Sequence, residues 1–257
     1  MMTTELPAPG GPGVTVRDTG PVRELTIGTG SKRNALTSQD WDTLAAAVRD
    51  GDSGGSTRAI LVRGRGDTFC AGSDMTEWVD ADSEAVEDAF ARMEATFRAV
   101  EDCTLPVIAE IRGTAAGAGC QLALACDLRF LADSANMGMP IVRLGINPSP
   151  AFAARMLAVA GASTTRYLLY TGALLDAPRA VACGLAEHHL PEEELAEFTT
   201  RTLDRCVAQP PAALRAAKRA VSEVLGPVRE AAAGDEHAMI TPKEFQHDIA
   251  RVLGHPA

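Results

Sequence analysis

Two runs of small residues, 66–75 and 113–119, each stand directly after an apolar segment. The first follows Ala59-Ile60-Leu61-Val62 and the second follows residues 106–111, Pro-Val-Ile-Ala-Glu-Ile. A buried strand, a tight turn and then a helix or loop is the natural parsing of each. Small residues let backbone approach a ligand closely, and a helix start leaves N–H groups without intrahelical partners. Two such donors aimed at one oxygen make an oxyanion hole. Either run alone is equally well explained by close helix–strand packing. Two of them in one chain make an α/β architecture built around paired turns the stronger reading.

The rest of the chain fits that frame. Residues 14–16 and 22–27 alternate around a Gly-Pro turn and predict a hairpin. Residues 34–48 predict a helix with Thr37 or Ser38 as N-cap and Trp41, Leu44, Ala45 and Val48 on one face. Residues 83–103 predict a long amphipathic helix, and 120–126 a short apolar one. Short strands are expected at 128–131 and 135–140. From Pro150 onward the pattern is helical, at 151–159, 163–170, 178–183, 192–206, 211–225 and 242–253. The expected organisation is a flexible leader at 1–13, a core at 14–200 and a C-terminal helical region at 201–257.

Composition removes several function classes. No window approaches the roughly 18 uninterrupted apolar residues that cross a bilayer, and the first residues lack a signal peptide's basic start and apolar run. The net charge of −10, from 24 basic and 34 acidic residues, comes without a long basic stripe, which disfavours nucleic acid. Six cysteines without a CxxC pair read as free thiols in a reducing cytoplasm. The five histidines do not pair with them at ligand spacing, so no metal site is expected. Cys70 and Cys120 flank the two turns without a neighbouring His and read as packing.

Phe69-Cys70-Ala71-Gly72-Ser73-Asp74 resembles the FxAGxD element of the enoyl-CoA hydratase/isomerase (crotonase) superfamily. Gly113 through Gly117-Ala118-Gly119-Cys120-Gln121-Leu122-Ala123, continued by Cys126-Asp127-Leu128, resembles its second Gly-rich signature. Arg33-Asn34-Ala35-Leu36, Leu144-Gly145-Ile146, Thr171-Gly172 and Gly184-Leu185 extend the resemblance over nearly the whole chain from Val14. It implies a spiral of ββα units closed by C-terminal helices, assembled as a homotrimer or a dimer of trimers. It implies an acyl-CoA substrate, with coenzyme A as part of the substrate and no permanently bound cofactor. By position, the oxyanion donors are the backbone N–H groups of Ser73 and Ala118. The same resemblance assigns Arg33, Ala35, Ala71, Asp74 and Met75 to the CoA path, with Phe245 and Arg251 as C-terminal contacts.

The chain departs from a hydratase at both acid/base positions. Hydration of a 2-enoyl thioester needs two carboxylates, and the family's two Glu positions are Gln121 and Ile141 here. No Asp or Glu occurs between Ser134 and Leu174. Decarboxylation, or double-bond isomerisation, through a thioester enolate therefore fits better than hydration, with Gln121, Asn147 or Ser149 orienting the departing carboxylate. Arg143 reads as facing solvent or a subunit interface. The competing readings are a hydratase with non-standard acid/base residues and a silent acyl-CoA-binding subunit. A β-diketone hydrolase ranks last, because residues 139–150 hold neither His nor Asp.

Overall fold

Residues 12–233 and 239–254 are described by the structure, a computed structural model. Of the expected leader, residues 1–11 lie outside them. At its end, the carbonyl of Gly13 accepts from Gly28 N–H at 2.7 Å.

The hairpin forms as read: β1 (Val14–Thr19) and β2 (Val22–Ile27) pair antiparallel about Gly20, whose positive φ of 58° closes the turn. The strands β3 (Ala59–Gly64), β4 (Val107–Ile111), β6 (Leu128–Ala132) and β9 (His188–Leu190) follow β2 in parallel, giving a six-stranded sheet in the order β1-β2-β3-β4-β6-β9. Both faces of β4 are buried, which explains its unbroken apolar reading rather than an alternating one. A second sheet, in the order β5-β7-β8, joins β5 (Thr114–Ala116), β7 (Asn136–Gly138) and β8 (Leu174–Asp176).

Helix α1 (Ser38–Ser53) packs on β1 and β2, and α2 (Ser83–Asp102) packs on α1. The side chain of Thr37 caps α1 and Asp40 reciprocates in a capping box, while Asp82 caps α2. Trp41 and Phe97 meet edge-to-face across the two helices at 5.6 Å. The short helix α3 (Ala118–Ala125) is buried beyond its first residue, in keeping with its all-round apolar sequence. Helix α4 (Pro150–Thr171) is broken at Gly161, whose φ of 70° and ψ of 172° are not helical, so it consists of two helical stretches, as expected. Helices α5 (Ala177–Ala182), α6 (Glu192–Ala208), α7 (Pro211–Ala233) and α8 (Pro242–Leu253) complete the chain.

Two expectations change. The run 113–119 is not all turn, because β5 lies inside it; Gly and Ala have weak strand preference and hide the pattern. The boundary at 200/201 falls within α6, which packs Leu195 and Leu203 against Ala59, Ile108 and Phe130 of the large sheet. Helix α6 is thus continuous with the core.

Candidate active site

The two small-residue turns meet. Cys70 N–H donates to Thr114 carbonyl and Ala116 N–H donates to Cys70 carbonyl, so segment 70–72 runs parallel beside β5. On its other edge, Leu36 N–H donates to Gly72 carbonyl and Asp74 N–H donates to Leu36 carbonyl. In a parallel ladder the intervening residue turns its own N–H the opposite way. The N–H of Ser73 therefore points away from Leu36, toward the end of β5, where α3 begins. Ala118 is the first residue of α3, after the N-cap Gly117, and its N–H has no intrahelical acceptor. Neither N–H is donated to another group among the described residues.

Three devices hold this junction. Gly72 has φ of 112°, and a Cβ there would stand 3.4 Å from Ala118 N, between the two arms. Gly119 lies so close to Cys70 that a Cβ would fall 2.1 Å from its carbonyl oxygen. Trp41 Nε1 donates to Ser73 Oγ at 3.1 Å, tying the residue to α1. At the far end of α3, the buried guanidinium of Arg129 donates to the carbonyls of Ala123 and Cys126 and pairs with Glu187. A cation at the C-terminus complements a dipole whose positive end is at Ala118.

Ser73 and Ala118 line one cavity of about 340 Å³, together with Ala71, Gly72, Met75 and Ile141. Trp78, Phe90, Met93 and Phe152 add an apolar wall, and Val252 reaches it from α8. Among the described residues the cavity wall holds no Asp, Glu, His, Lys, Tyr or Cys; its ionisable side chains are Arg33 and Arg143. Ile141, 6% exposed, occupies the wall where a hydratase needs a carboxylate.

Arg33 is presented by an unusual turn. Lys32, Arg33 and Asn34 all have positive φ, of 48°, 53° and 56°. Each non-glycine residue in that region costs roughly 1–2 kcal/mol. Asn34 compensates: its Oδ1 accepts from Gly30 N–H, and its Nδ2 donates to the carbonyls of Arg65 and Thr68. Ala71 N–H donates to Arg33 carbonyl, so the turn is fastened to the Ser73 arm.

Asp74 turns away from the cavity and braces the same turn. Its carboxylate pairs with Lys32 at 2.6 Å and accepts from Thr76 N–H. Burial pushes the Asp74 carboxyl up, yet the bonds from Lys32 and Thr76 outweigh it and hold it below its ordinary value. Ala35 also stands off the cavity wall, whereas Arg33, Ala71 and Met75 line it. Phe245 is fully buried against Trp78, and Arg251 donates to Arg143 carbonyl and pairs with Asp248. Neither belongs to the cavity wall.

The three polar residues expected to orient a departing carboxylate are not among those that line this cavity. Gln121 is fully buried behind Phe152: its Oε1 accepts from Arg155 Nη1 at 2.9 Å and its Nε2 donates to Phe152 carbonyl at 3.5 Å. Ser149 is the N-cap of α4, accepting from Phe152 N–H. Asn147 is exposed, and its N–H donates to Met239 carbonyl.

The sequence reading missed Arg155. It is 4% exposed, pairs with Glu101 at 2.9 Å and Glu94 at 3.0 Å, and lies over the Phe97 ring. Burial opposes its charge, and the two carboxylates more than offset this, raising its pKa. The available signal was a charge on an apolar helix face: Glu94 and Glu101 flank Phe97 at two-turn spacing, and Arg155 interrupts Phe-Ala-Ala-Arg-Met-Leu.

Cys70 and Cys120 are fully buried, and burial pushes both thiols up to about 12. A thiol so protonated is not a nucleophile near neutral pH. Among the described residues no three His, Cys, Asp or Glu side chains gather as a metal site.

Sequence comparison decides the family. Residues 18–251 match the profile of the enoyl-CoA hydratase/isomerase family. The chain belongs to that family, the crotonase superfamily. It is 32% identical over 202 residues to a probable enoyl-CoA hydratase, echA8, of Mycobacterium bovis, covering 77% of this chain and 76% of that protein. It is 34% identical over 166 residues to an enoyl-CoA isomerase/hydratase, fer4, of Mycosarcoma maydis, covering 64% of this chain and 61% of that relative. The fold superposes on an enoyl-CoA hydratase/carnithine racemase crystal structure from Magnetospirillum magneticum with a TM-score of 0.80, at 27% identity and with 84% and 82% of the two chains covered. This crotonase is thus an enzyme acting on acyl-CoA, with the two-sheet α/β fold and C-terminal helices of its family.

Proposed function

We propose that this crotonase generates a thioester enolate by decarboxylating a malonyl-type acyl-CoA or by moving a double bond, and does not hydrate enoyl-CoA. The observation that carries the reading is a cavity with two unpartnered backbone N–H groups, from Ser73 and Ala118, and no carboxylate on its wall among the described residues. In this reading the thioester oxygen accepts from both N–H groups, and the CoA phosphates face Arg33.

The lining favours decarboxylation of the two. As the bond between the α-carbon and the carboxylate breaks, its electron pair passes into the enolate, whose oxygen is held by the two donors. Carbon dioxide leaves, and water delivers a proton to the α-carbon. Isomerisation needs a base to take a proton, and hydration needs two positioned carboxylates; with Gln121 locked by Arg155 and Ile141 on the wall, the hydratase positions supply neither.

No described helix is long and apolar enough to cross a membrane. The six free cysteines accord with the reducing cytoplasm we assign. Assembly as a homotrimer or a dimer of trimers is part of the same reading, and analytical ultracentrifugation tests it.

The reaction is tested by incubating the protein in heavy water with malonyl-type and enoyl-CoA thioesters and weighing the products. Loss of carbon dioxide with deuterium at the α-carbon is expected, or deuterium uptake without mass loss for isomerisation. Efficient addition of water to crotonyl-CoA would refute the proposal. CoA binding without turnover of any thioester would favour a silent binding subunit.

A further inference from the structure

Arg143 stands where the preceding reading has no use for a charge. It lies on the short 3-10 turn Pro140–Leu144, between Ile141 and Leu144, which also line the cavity. Its stem crosses the end of α4: a Cβ on Gly172 would stand 3.2 Å from Arg143 Nε, so the missing side chain makes room for the arginine. Among the described residues no carboxylate pairs with its guanidinium, whereas neighbouring Arg251 is paired with Asp248.

The two cations of the cavity belong to opposite arms. Arg33 is fastened through its carbonyl to Ala71, on the arm that carries Ser73. Arg143 follows β7, whose Gly138 carbonyl accepts from Gly117 N–H, on the arm that carries Ala118. The cavity's two cations are thus anchored to different arms. With Arg33 serving the CoA phosphates, Arg143 is left for the acyl group. A planar guanidinium on an apolar wall is matched by a carboxylate, which takes two parallel bonds from it.

We infer that Arg143 recognises a free carboxylate on the acyl group, so that the substrate is a CoA monothioester of a dicarboxylic acid. The inference rests on the acyl-CoA reading above and narrows it to a substrate class. Malonyl-type substrates fall within that class, and so do longer chains whose second carboxylate is distal.

Calorimetric titration separates the two. Wild-type protein is titrated with CoA, with the CoA monothioesters of three-, four- and five-carbon dicarboxylic acids, and with the monocarboxylic thioesters of equal chain length. At least one dicarboxylic thioester binds roughly ten- to a hundredfold tighter than its monocarboxylic counterpart, the scale of one charge-assisted bond. Arg143→Met brings that ratio to about one, and Arg143→Lys restores part of it. Both variants change an exposed side chain, and circular dichroism checks their fold. Equal binding of each pair by wild type overturns the inference and leaves the acyl-CoA reading standing. So does a fall in affinity for CoA itself in Arg143→Met, which would make the arginine a phosphate contact. If neither CoA nor any thioester binds, the acyl-CoA reading fails first and takes the inference with it.

Discussion

Gln121 occupies the position from which a hydratase would act on water, yet its amide is committed on both sides, to Arg155 and to the carbonyl of Phe152. Restoring a carboxylate there does not restore hydration. Gln121→Glu sets a carboxylate oxygen against the Phe152 carbonyl and adds a third anion to the Arg155–Glu94–Glu101 group. It is expected to destabilise the fold by about 1–3 kcal/mol, the scale of a buried polar atom without a partner, as read from urea unfolding. Crotonyl-CoA hydration is expected to stay at background; a gain of hydratase activity would show that position 121 reaches the substrate. At this scale the sequence was informative about what is missing and uninformative about what replaced it. The absence of Glu at 121 and 141 is visible in the letters. The direction in which Gln121 points depends on Arg155, distant in sequence and brought near only by the packing of α4 on α3.

At the scale of elements, the site depends on a left-handed turn that no local preference favours. Lys32, Arg33 and Asn34 hold positive φ because Asn34 is bonded on both ends of its amide and Lys32 is drawn to Asp74. The motif Arg33-Asn34-Ala35-Leu36 marked the place, whereas the backbone conformation was not legible, since only Asn among the three tolerates it readily. The Asp74 carboxyl, held below its ordinary value, contributes stability that is fully present above the unfolded carboxylate value of about 3.9 and is lost as pH falls through its lowered folded value. Asp74→Asn is accordingly less stable than wild type at pH 7, and the gap narrows progressively below about pH 4. Urea unfolding of both proteins across that range checks it; a gap that does not change with pH would mean that the charge is not what braces the turn. The same variant is expected to raise KM for acyl-CoA more than it lowers kcat, because Arg33 loses its support while both N–H groups stay in place.

Across the whole molecule, the buried strands β3 and β4 and both turns were readable because such strands are short apolar runs bounded by glycine. What escaped were β5 and β8, each three residues long, and the packing of α6, expected at 192–206, whose Leu195 and Leu203 lie on the large sheet. The core also sequesters thiols: Cys70, Cys103, Cys120 and Cys126 are buried, while Cys183 and Cys206 are partly accessible. Burial pushes Cys126 to about 12 and Cys103 to about 11. Ellman's reagent is expected to label Cys183 and Cys206 in the native protein and all six cysteines after denaturation; rapid native labelling of Cys70 or Cys120 would contradict the packing of the two turns. In the proposed reading that packing brings one amide from each arm to the same oxygen. Infrared difference spectroscopy of a bound acyl-CoA carrying a carbon-13 thioester carbonyl reads this directly, with Ala118→Pro as the control. Proline is well tolerated at a first helical position and removes only the donor. The carbonyl stretch is predicted to move to lower frequency on binding, with most of that shift lost in Ala118→Pro alongside a fall in kcat of about 10²–10³-fold. An unshifted carbonyl in the wild type, or an equal shift in the variant, would contradict it.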